Sequence, residues 1–515
     1  MKSLADHIDA HAAARPGAVA YFADDRSFSW AEYRDGSDRL AAHLLQLGLA
    51  AGERVAVLLP DGPEVHSAFV ACEKAGLLAL GIGPRAARQE IRHLLKRTRA
   101  AALLSPANHR NMDMAALTEE LRAEGLGLRH HVILDGALHG FDAPNSDTAR
   151  ALADRRLGPD DVFLLNSTSG TTGLPKCVVH DQARWYHFHE LAVEAGELSS
   201  EDVFLSAIPA PFGFGIWTAH VTPTLLGVPT VLMPSFTPEA VIEAIQRHRV
   251  TVLAAVSTQF IMMLDAGTLD RADLSSLRVL FTGGERVPFE RAAEFEERTG
   301  ARVLQFYGSN ETGALSRTST RDSRDVRLRT AGRVIESMNV RLLDDAGRDV
   351  TTSGRGRAAC KGPLLSRGYF DDPEADATLT TDDGWMLTGD VATLDAEGVL
   401  RVVDRSGDFI IRGGKNISGP AVEEAVAAHP AVALAAAVAM PDPTFGERVC
   451  AYAVLRAGQR LTLDELTQHL RERGVSPETW PERLVILDEL PRSSGGKIHK
   501  ARLREDIRRR LTEEE

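Results

Sequence analysis

The chain has 515 residues, 44% of them hydrophobic and 25% charged, with a formal net charge of -13. That is too long for a single core and implies two or more domains of ordinary globular composition. The acidic balance argues against a nucleic-acid surface. The four cysteines, Cys72, Cys177, Cys360 and Cys450, make no C-x-x-C pair, which argues against a zinc site or disulfide framework and fits a reducing compartment.

Met1 to Asp9 lacks the apolar core of a signal peptide. Residues 1 to about 110 then alternate helical and strand patterns. Ala31 to Leu47 reads as an amphipathic helix closed by Gly48, Arg54 to Leu59 as a buried strand, Glu64 to Ala75 as a helix and Gly76 to Gly83 as a second strand. Strand–helix–strand order implies a mainly parallel sheet covered by helices. Residues 106 to 160 are more polar and irregular. Val162 to Leu165 is a strand, and so is Cys177 to Val179 after a polar loop.

From 202 to 310 the alternation resumes, with strands at Val203 to Ile208, Thr230 to Met233, Val252 to Val256 and Val279 to Thr282. Pro238 to His248 is one of the helices between them. Residues 320 to 405 carry short strands between Gly and Asp turns, an all-β patch read as a small β-barrel. After Asp404 comes an α+β pattern: helices at Ala421 to Ala428 and Leu463 to Arg473, strands at Val432 to Met440 and Cys450 to Leu455. The longest apolar run, Ala431 to Met440, falls far short of the ~20 residues that span a bilayer. A cytoplasmic protein is the expectation. Arg508-Arg509-Arg510 and Glu513-Glu514-Glu515 read as a solvated tail.

The fold class is therefore α/β: a large N-terminal domain over 1–405, with several subdomains, mainly parallel sheets and the barrel at 320–405, then a small α+β domain over 406–515.

The chemistry centres on Ser167-Thr168-Ser169-Gly170-Thr171-Thr172-Gly173-Leu174-Pro175-Lys176. Glycines let backbone N–H groups approach an anion, hydroxyls add donors, and the lysine adds a mobile positive charge. This reads as a phosphate grip. It is not the nucleotide loop of P-loop NTPases, which needs Gly before the lysine and Ser or Thr after it. Here those places hold Pro175 and Cys177.

The loop closely resembles the phosphate loop of the adenylate-forming superfamily, which includes acyl-CoA synthetases, peptide-synthetase adenylation domains and luciferases. Six further stretches match that family in the same order. Pro209 to Gly215 resembles the turn that borders the acyl pocket, with Phe212 where the family usually has histidine. Thr282-Gly283-Gly284-Glu285 is similar to a segment lining the adenine and acyl pockets. In Gln305 to Gly313, the resemblance sets Tyr307 and Gly308 beside the nucleotide, gives Glu311 the Mg²⁺, and puts Asn310 where threonine usually contacts the α-phosphate. Asp390 matches the carboxylate that accepts the ribose hydroxyls, and Arg405 the arginine on the ribose and phosphate side of ATP. Gly407 stands at the hinge position, usually Asp or Lys, and Gly413-Gly414 at the pantetheine tunnel. Lys497 matches the catalytic lysine, with Lys500 read as solvated.

The resemblance implies an enzyme that joins a small carboxylic acid to AMP at the expense of Mg-ATP, then passes the acyl group to a thiol. Thr171, Thr172 and Lys176 would hold phosphates, Glu311 the metal, and Lys497 the carboxylate and developing charge. The small domain is expected to be mobile, turning about Gly407. An acyl-CoA ligase, with free coenzyme A as acceptor, is the leading expectation; the phosphopantetheine arm of a carrier protein is the alternative, and a homodimer is compatible with the family. Joint presence of Lys176, Glu311, Asp390, Arg405 and Lys497 disfavours a non-catalytic nucleotide- or acyl-binding relative. Phe212, Phe214, Trp217, Val256 and Ser257 are expected to shape an apolar acyl pocket. No cysteine or carboxylate spacing supports a metal at His180, His187 and His189, or at His130-His131.

Overall fold

A computed structural model gives the fold. It describes residues 1–514 except 137, 168–174, 285–286, 345, 406–408, 413–414, 443–445, 474, 476 and 494–496. Among the described residues the strands assort into three large sheets. A six-stranded sheet carries Arg54–Val57, Leu78–Gly81, Ala102–Ser105, His130–Ile133 and Val162–Ser167 in parallel, edged by antiparallel Cys177–Asp181. Val55, Ala56 and Val57 are fully buried, as expected for a strand covered on both faces.

The largest sheet has thirteen strands. One half is parallel: Val19–Ala23, Thr230–Leu232, Phe204–Ser206, Val252–Ala254, Val279–Gly283 and Arg302–Ser309. The all-β region forms the antiparallel half and joins through the pairing of Arg302–Ser309 with Gly313–Arg317. The third sheet, within 409–486, packs helices Gly419–Ala427 and Leu463–Glu472 through Val422, Val426, Leu466 and Leu470.

Helix starts follow local chemistry. Ser29 and Glu32 close a capping box at Trp30–Gln46, and Pro238 opens Pro238–His248 behind the cap Thr237. Gly48 turns left-handed at φ 71°, ending the first of these two helices.

Two expectations need correction. Residues 106–160 contain helices Met114–Ala123 and Ser146–Arg155. The second buries Leu152 alone, too little to stand out from a polar sequence, while the first buries Met114, Leu117, Thr118 and Leu121 at ordinary helical spacing. Lys500 is not solvated, since its ammonium pairs with Glu423 at 2.9 Å and is largely covered. The C-terminal charges are solvated as expected, with Arg508, Arg509 and Glu513 exposed, but they ride on a helix, Lys500–Glu514, that buries Leu503 and Ile507, while Asp506 pairs with Arg509 and Arg510. Among the described residues no helix is long and apolar enough to cross a membrane.

Two turns position the site. Gly313 closes the hairpin that carries Glu311, at φ 64°, and a Cβ there would fall on Leu364 O. Gly313→Ala is therefore expected to cost about 1–3 kcal/mol, read as a lowered Tm, and to displace Glu311. An unchanged Tm would contradict it.

The second turn, Pro209–Phe214, is braced from the neighbouring sheet by Asp61, whose carboxylate accepts from Ala210 N–H at 2.7 Å. Burial pushes this carboxyl up to about 7, and the Ala210 N–H only partly offsets that. Between about pH 4 and pH 7 the native state then holds a proton that the unfolded chain has released. Stability therefore falls as pH rises through that window. Asp61→Asn keeps an acceptor but cannot titrate, so it should flatten the decline in Tm between pH 5 and pH 8. Parallel Tm profiles would contradict this reading.

Candidate active site

The strand Val162–Ser167 delivers the phosphate-grip loop. Thr168, Ser169, Gly170, Thr171, Thr172 and Gly173 lie outside the described residues, but both flanks are placed. On the far flank, Lys176 Nζ sits 4.8 Å over the ring of Tyr369. Tyr369 donates its hydroxyl to Glu311 Oε1 at 2.7 Å. Burial and the neighbouring Glu311 push the Tyr369 phenol far above its ordinary range, so it stays a donor. One aromatic side chain thus links the grip lysine to the expected metal carboxylate. The sequence reading missed Tyr369; its signal was the preceding Gly368, at φ 88°.

Glu311 rides on a turn built by its own neighbours. Ser309 N donates to Thr312 Oγ1 at 2.9 Å, Glu311 N and Thr312 N to Ser309 Oγ, and Ser366 N to Glu311 O at 2.7 Å. A carboxylate is a hard oxygen donor, and Mg²⁺ beside substrate phosphates needs only one or two of these from the protein. The residues present fit that ion.

Beside it runs a buried chain of donors that the sequence reading also missed. Arg184 Nη1 donates to His180 Nδ1 at 2.7 Å and to Asn310 O at 3.0 Å. His180 Nε2 and Asn166 Oδ1 are 2.7 Å apart, and Asn166 Nδ2 donates to Asn310 Oδ1 at 3.3 Å. A guanidinium can only donate, so His180 must accept at Nδ1 and donate at Nε2. His180 and Asn166 are fully buried and Arg184 nearly so. Burial holds His180 neutral and lowers Arg184 to about 10, with Asp181 and Glu311 partly restoring the charge. Asn310 is thereby fixed by both its carbonyl and its side chain. A Cβ on Gly213 would fall on Asn310 Oδ1, so glycine is required where the acyl-side turn meets this network.

Tyr307 donates to Asp390 Oδ2 at 2.7 Å, which brings the expected adenine-side ring and ribose carboxylate together. Asp390 lies cross-strand from Arg405, whose side chain is outside the described residues. A Cβ at Gly308 would fall on Gly313 O, and one at Gly283 would lie 2.7 Å from Phe306 O. Gly284, at φ 80°, faces the C-terminal part of the chain: a Cβ there would sit 2.9 Å from both Cε and Nζ of Lys497. The lysine therefore rests on the loop after Val279–Gly283, beside the Tyr307 strand. Glu285, Gly407, Gly413 and Gly414 lie outside the described residues.

On the acyl side, Ile208, Phe212 and Val256 form one apolar cluster with Phe214 packed on it. Phe212 presses on Gly83, and Phe214 stacks on Trp217 at 5.4 Å and 14°. Trp217 is wedged behind, against Phe188, Phe281 and Phe306 at 4.8–5.1 Å. Trp217 lies in a widened π turn, Ile216–Val221, just ahead of Pro223, which has no N–H for an ordinary helix bond. Ser257 follows Val256 at the start of helix Ser257–Asp265, and Gln259 Oε1 accepts from Val256 N at 3.0 Å. The histidines go elsewhere: His187 to Ser337, His189 to Thr222, His131 to Ser105.

Comparison with known proteins gives the family. The protein-family profile described as AMP-binding enzyme matches residues 8–370, and that of the AMP-binding enzyme C-terminal domain matches residues 421–497. A medium-chain fatty-acid–CoA ligase of Escherichia coli (strain K12) is 31% identical over 99% of this chain and 92% of its own. A salicylyl-CoA synthase / salicylate adenylyltransferase of a Streptomyces species is 33% identical over 95% and 91%. Among solved structures, the o-succinylbenzoate CoA synthetase of Bacillus subtilis, in complex with its acyl-adenylate intermediate, superposes with a TM-score of 0.81. It is 27% identical, over 96% of this chain and 97% of that one. The chain, a large α/β portion followed by a smaller C-terminal one, belongs to the AMP-binding enzymes, the adenylate-forming ligases.

Proposed function

We propose that this adenylate-forming enzyme activates a small apolar carboxylic acid and transfers the acyl group to the thiol of coenzyme A. The observation that carries the proposal is the approach of Lys497 to Gly284, beside a site that also gathers Lys176, Glu311 and Asp390.

In the first half-reaction a carboxylate oxygen attacks the α-phosphorus of ATP. An O–P bond forms, the bond to the β-phosphate breaks, and pyrophosphate leaves with the electron pair. Both reactants are anions, so the protein's task is to align them and offset their repulsion. Lys497 lies between them, and its charge stabilises what develops at the phosphorus. Lys176 and the loop that carries Thr171 and Thr172 hold the outgoing phosphates, with Asn310 toward the α-phosphate. Asp390 holds the ribose and Tyr307 flanks the base, with Arg405 on the ribose and phosphate side. Glu311 would hold Mg²⁺, which supplies neutralisation of phosphate charge.

In the second half-reaction a thiol sulfur attacks the acyl carbonyl carbon. The C–S bond forms, the C–O bond to AMP breaks, and the thiol proton passes to solvent. We assign 406–515 as the unit that turns about Gly407 to withdraw Lys497 and bring Gly413-Gly414 to the thiol. The apolar wall of Ile208, Phe212, Phe214 and Val256, with Trp217 behind it, supports an aromatic, alicyclic or medium-chain acid. Coenzyme A is preferred because a CoA ligase matches nearly the whole chain. A carrier-protein arm is the second reading, since the adenylyltransferase activity in the name of the Streptomyces relative covers acyl-AMP formation and leaves the accepting thiol open.

AMP release measured over a panel of acids, with and without CoA, should require one acid class and CoA together. Acid-dependent pyrophosphate release without CoA transfer would favour the carrier protein instead. Lys497→Ala should lower acid-dependent ATP–pyrophosphate exchange roughly 10²–10³-fold, with the fold intact by circular dichroism. Unchanged exchange would exclude this lysine.

Arg184→Met removes both anchors of the donor chain without touching substrate. It should lower kcat/KM for ATP roughly 10–100-fold, the range seen for groups that orient a first layer of ligands. An unchanged kcat/KM would show that Asn310 needs no such support.

A further inference from the structure

Helix Ser257–Asp265 begins at the acyl wall and ends at the C-terminal part of the chain. Val256, just before its first turn, packs on Phe212. Further along, Met262 Sδ receives Arg492 Nη2 at 2.9 Å. At the helix end, Asp265 Oδ1 takes Arg291 Nη2 at 2.5 Å and lies 3.6 Å from Arg456 Nη1. Leu434 packs against the core cluster that holds Phe260, Ile261 and Leu264. Three places on the C-terminal side, residues 434, 456 and 492, thus meet this helix and the core that contains it.

Arg492 stands at the base of the loop that carries Lys497. That loop is closed by Ser493 N to Lys497 O at 2.7 Å, His499 N to Pro491 O at 2.7 Å, and an antiparallel bridge between Arg492 and Ile498. Where Arg492 rests on Met262 therefore sets where Lys497 meets Gly284. The two ion contacts of Asp265 are unequal. Arg291 is buried and close, on helix Phe289–Thr299, whose Ala292 and Phe295 share a core with Phe260 and Leu264. Arg456 is part-exposed and more distant, in the range where an ion pair contributes at most about 1 kcal/mol. Such a contact can bias an orientation and still release it.

We propose that helix Ser257–Asp265 is the docking rail of the C-terminal part, and that Arg456 and Arg492 are positioning residues that hold Lys497 at Gly284. The inference rests on the proposed role of Lys497 in forming the acyl-adenylate. It assigns Arg456 to the first half-reaction alone.

The test uses the full chain. Arg456→Gln should lower acid-dependent ATP–pyrophosphate exchange about 3–5-fold through kcat, with KM for the acid unchanged. Added salt should depress the wild type toward the variant, and Arg456→Lys should restore most of the rate. Thioester formation from supplied acyl-adenylate should not fall.

The second readout is independent of activity. The four native cysteines are buried, so cysteines introduced at exposed Ser235 and Gln459 can carry spin labels selectively. The label-to-label distance distribution should broaden in Arg456→Gln. An unchanged distribution, or both half-reactions falling alike, would overturn the inference. A broadened distribution in a protein without acid-dependent exchange would support the rail and remove the proposed function instead.

Discussion

The site depends on a buried arginine whose side-chain hydrogen bonds, among the described residues, go to neutral groups. Arg184 spends its Nη1 donor on His180 and on the carbonyl of Asn310, and His180 passes the polarity on through Asn166 to the Asn310 side chain. A cation taken out of water is costly unless its donors are met, and here those of Nη1 are met by neutral groups. Asp181 and Glu311 offset only part of the desolvation. The arrangement makes the strand before the phosphate grip and the turn carrying Glu311 one rigid body. In a reaction whose chemistry is alignment of two anions, rigidity at that place is what the fold contributes.

The aromatic side of the site follows from the same constraint. Gly213 must be glycine because Asn310 occupies the space of a side chain. The turn it belongs to then sets Phe212 against Gly83 and Phe214 on Trp217. Trp217 is held in turn by Phe281 and Phe306 from adjacent parallel strands, so the acyl wall is an extension of the sheet core. The wall is fixed by the elements that carry the nucleotide side.

Much of this was legible in the sequence. The parallel strands announced themselves as short, continuous apolar runs, and Pro238–His248 was bounded by its proline and basic end. The pairing of Lys497 with Gly284, and of Tyr307 with Asp390, joins residues that motif order had set in one site. What escaped was of two kinds. Helix Ser146–Arg155 buries only Leu152, too little for periodicity to find, whereas Met114–Ala123 buries Met114, Leu117, Thr118 and Leu121 at helical spacing, a stripe passed over in a polar stretch. The residues holding the site from behind, Asn166, His180, Arg184 and Tyr369, act through contacts 58 to 144 positions apart where they reach Glu311 and Asn310. His180 was visible only as one of several histidines, because hydrogen bonds between distant segments leave no local pattern.

The central claim is that a carboxylate oxygen bonds to the α-phosphorus of ATP. The most direct test is a single turnover with an accepted acid labelled with ¹⁸O in both carboxylate oxygens, followed by mass analysis of the nucleotide product. The account predicts AMP carrying one ¹⁸O, released with unlabelled pyrophosphate. ADP with the label in inorganic phosphate, or AMP without label, would contradict it.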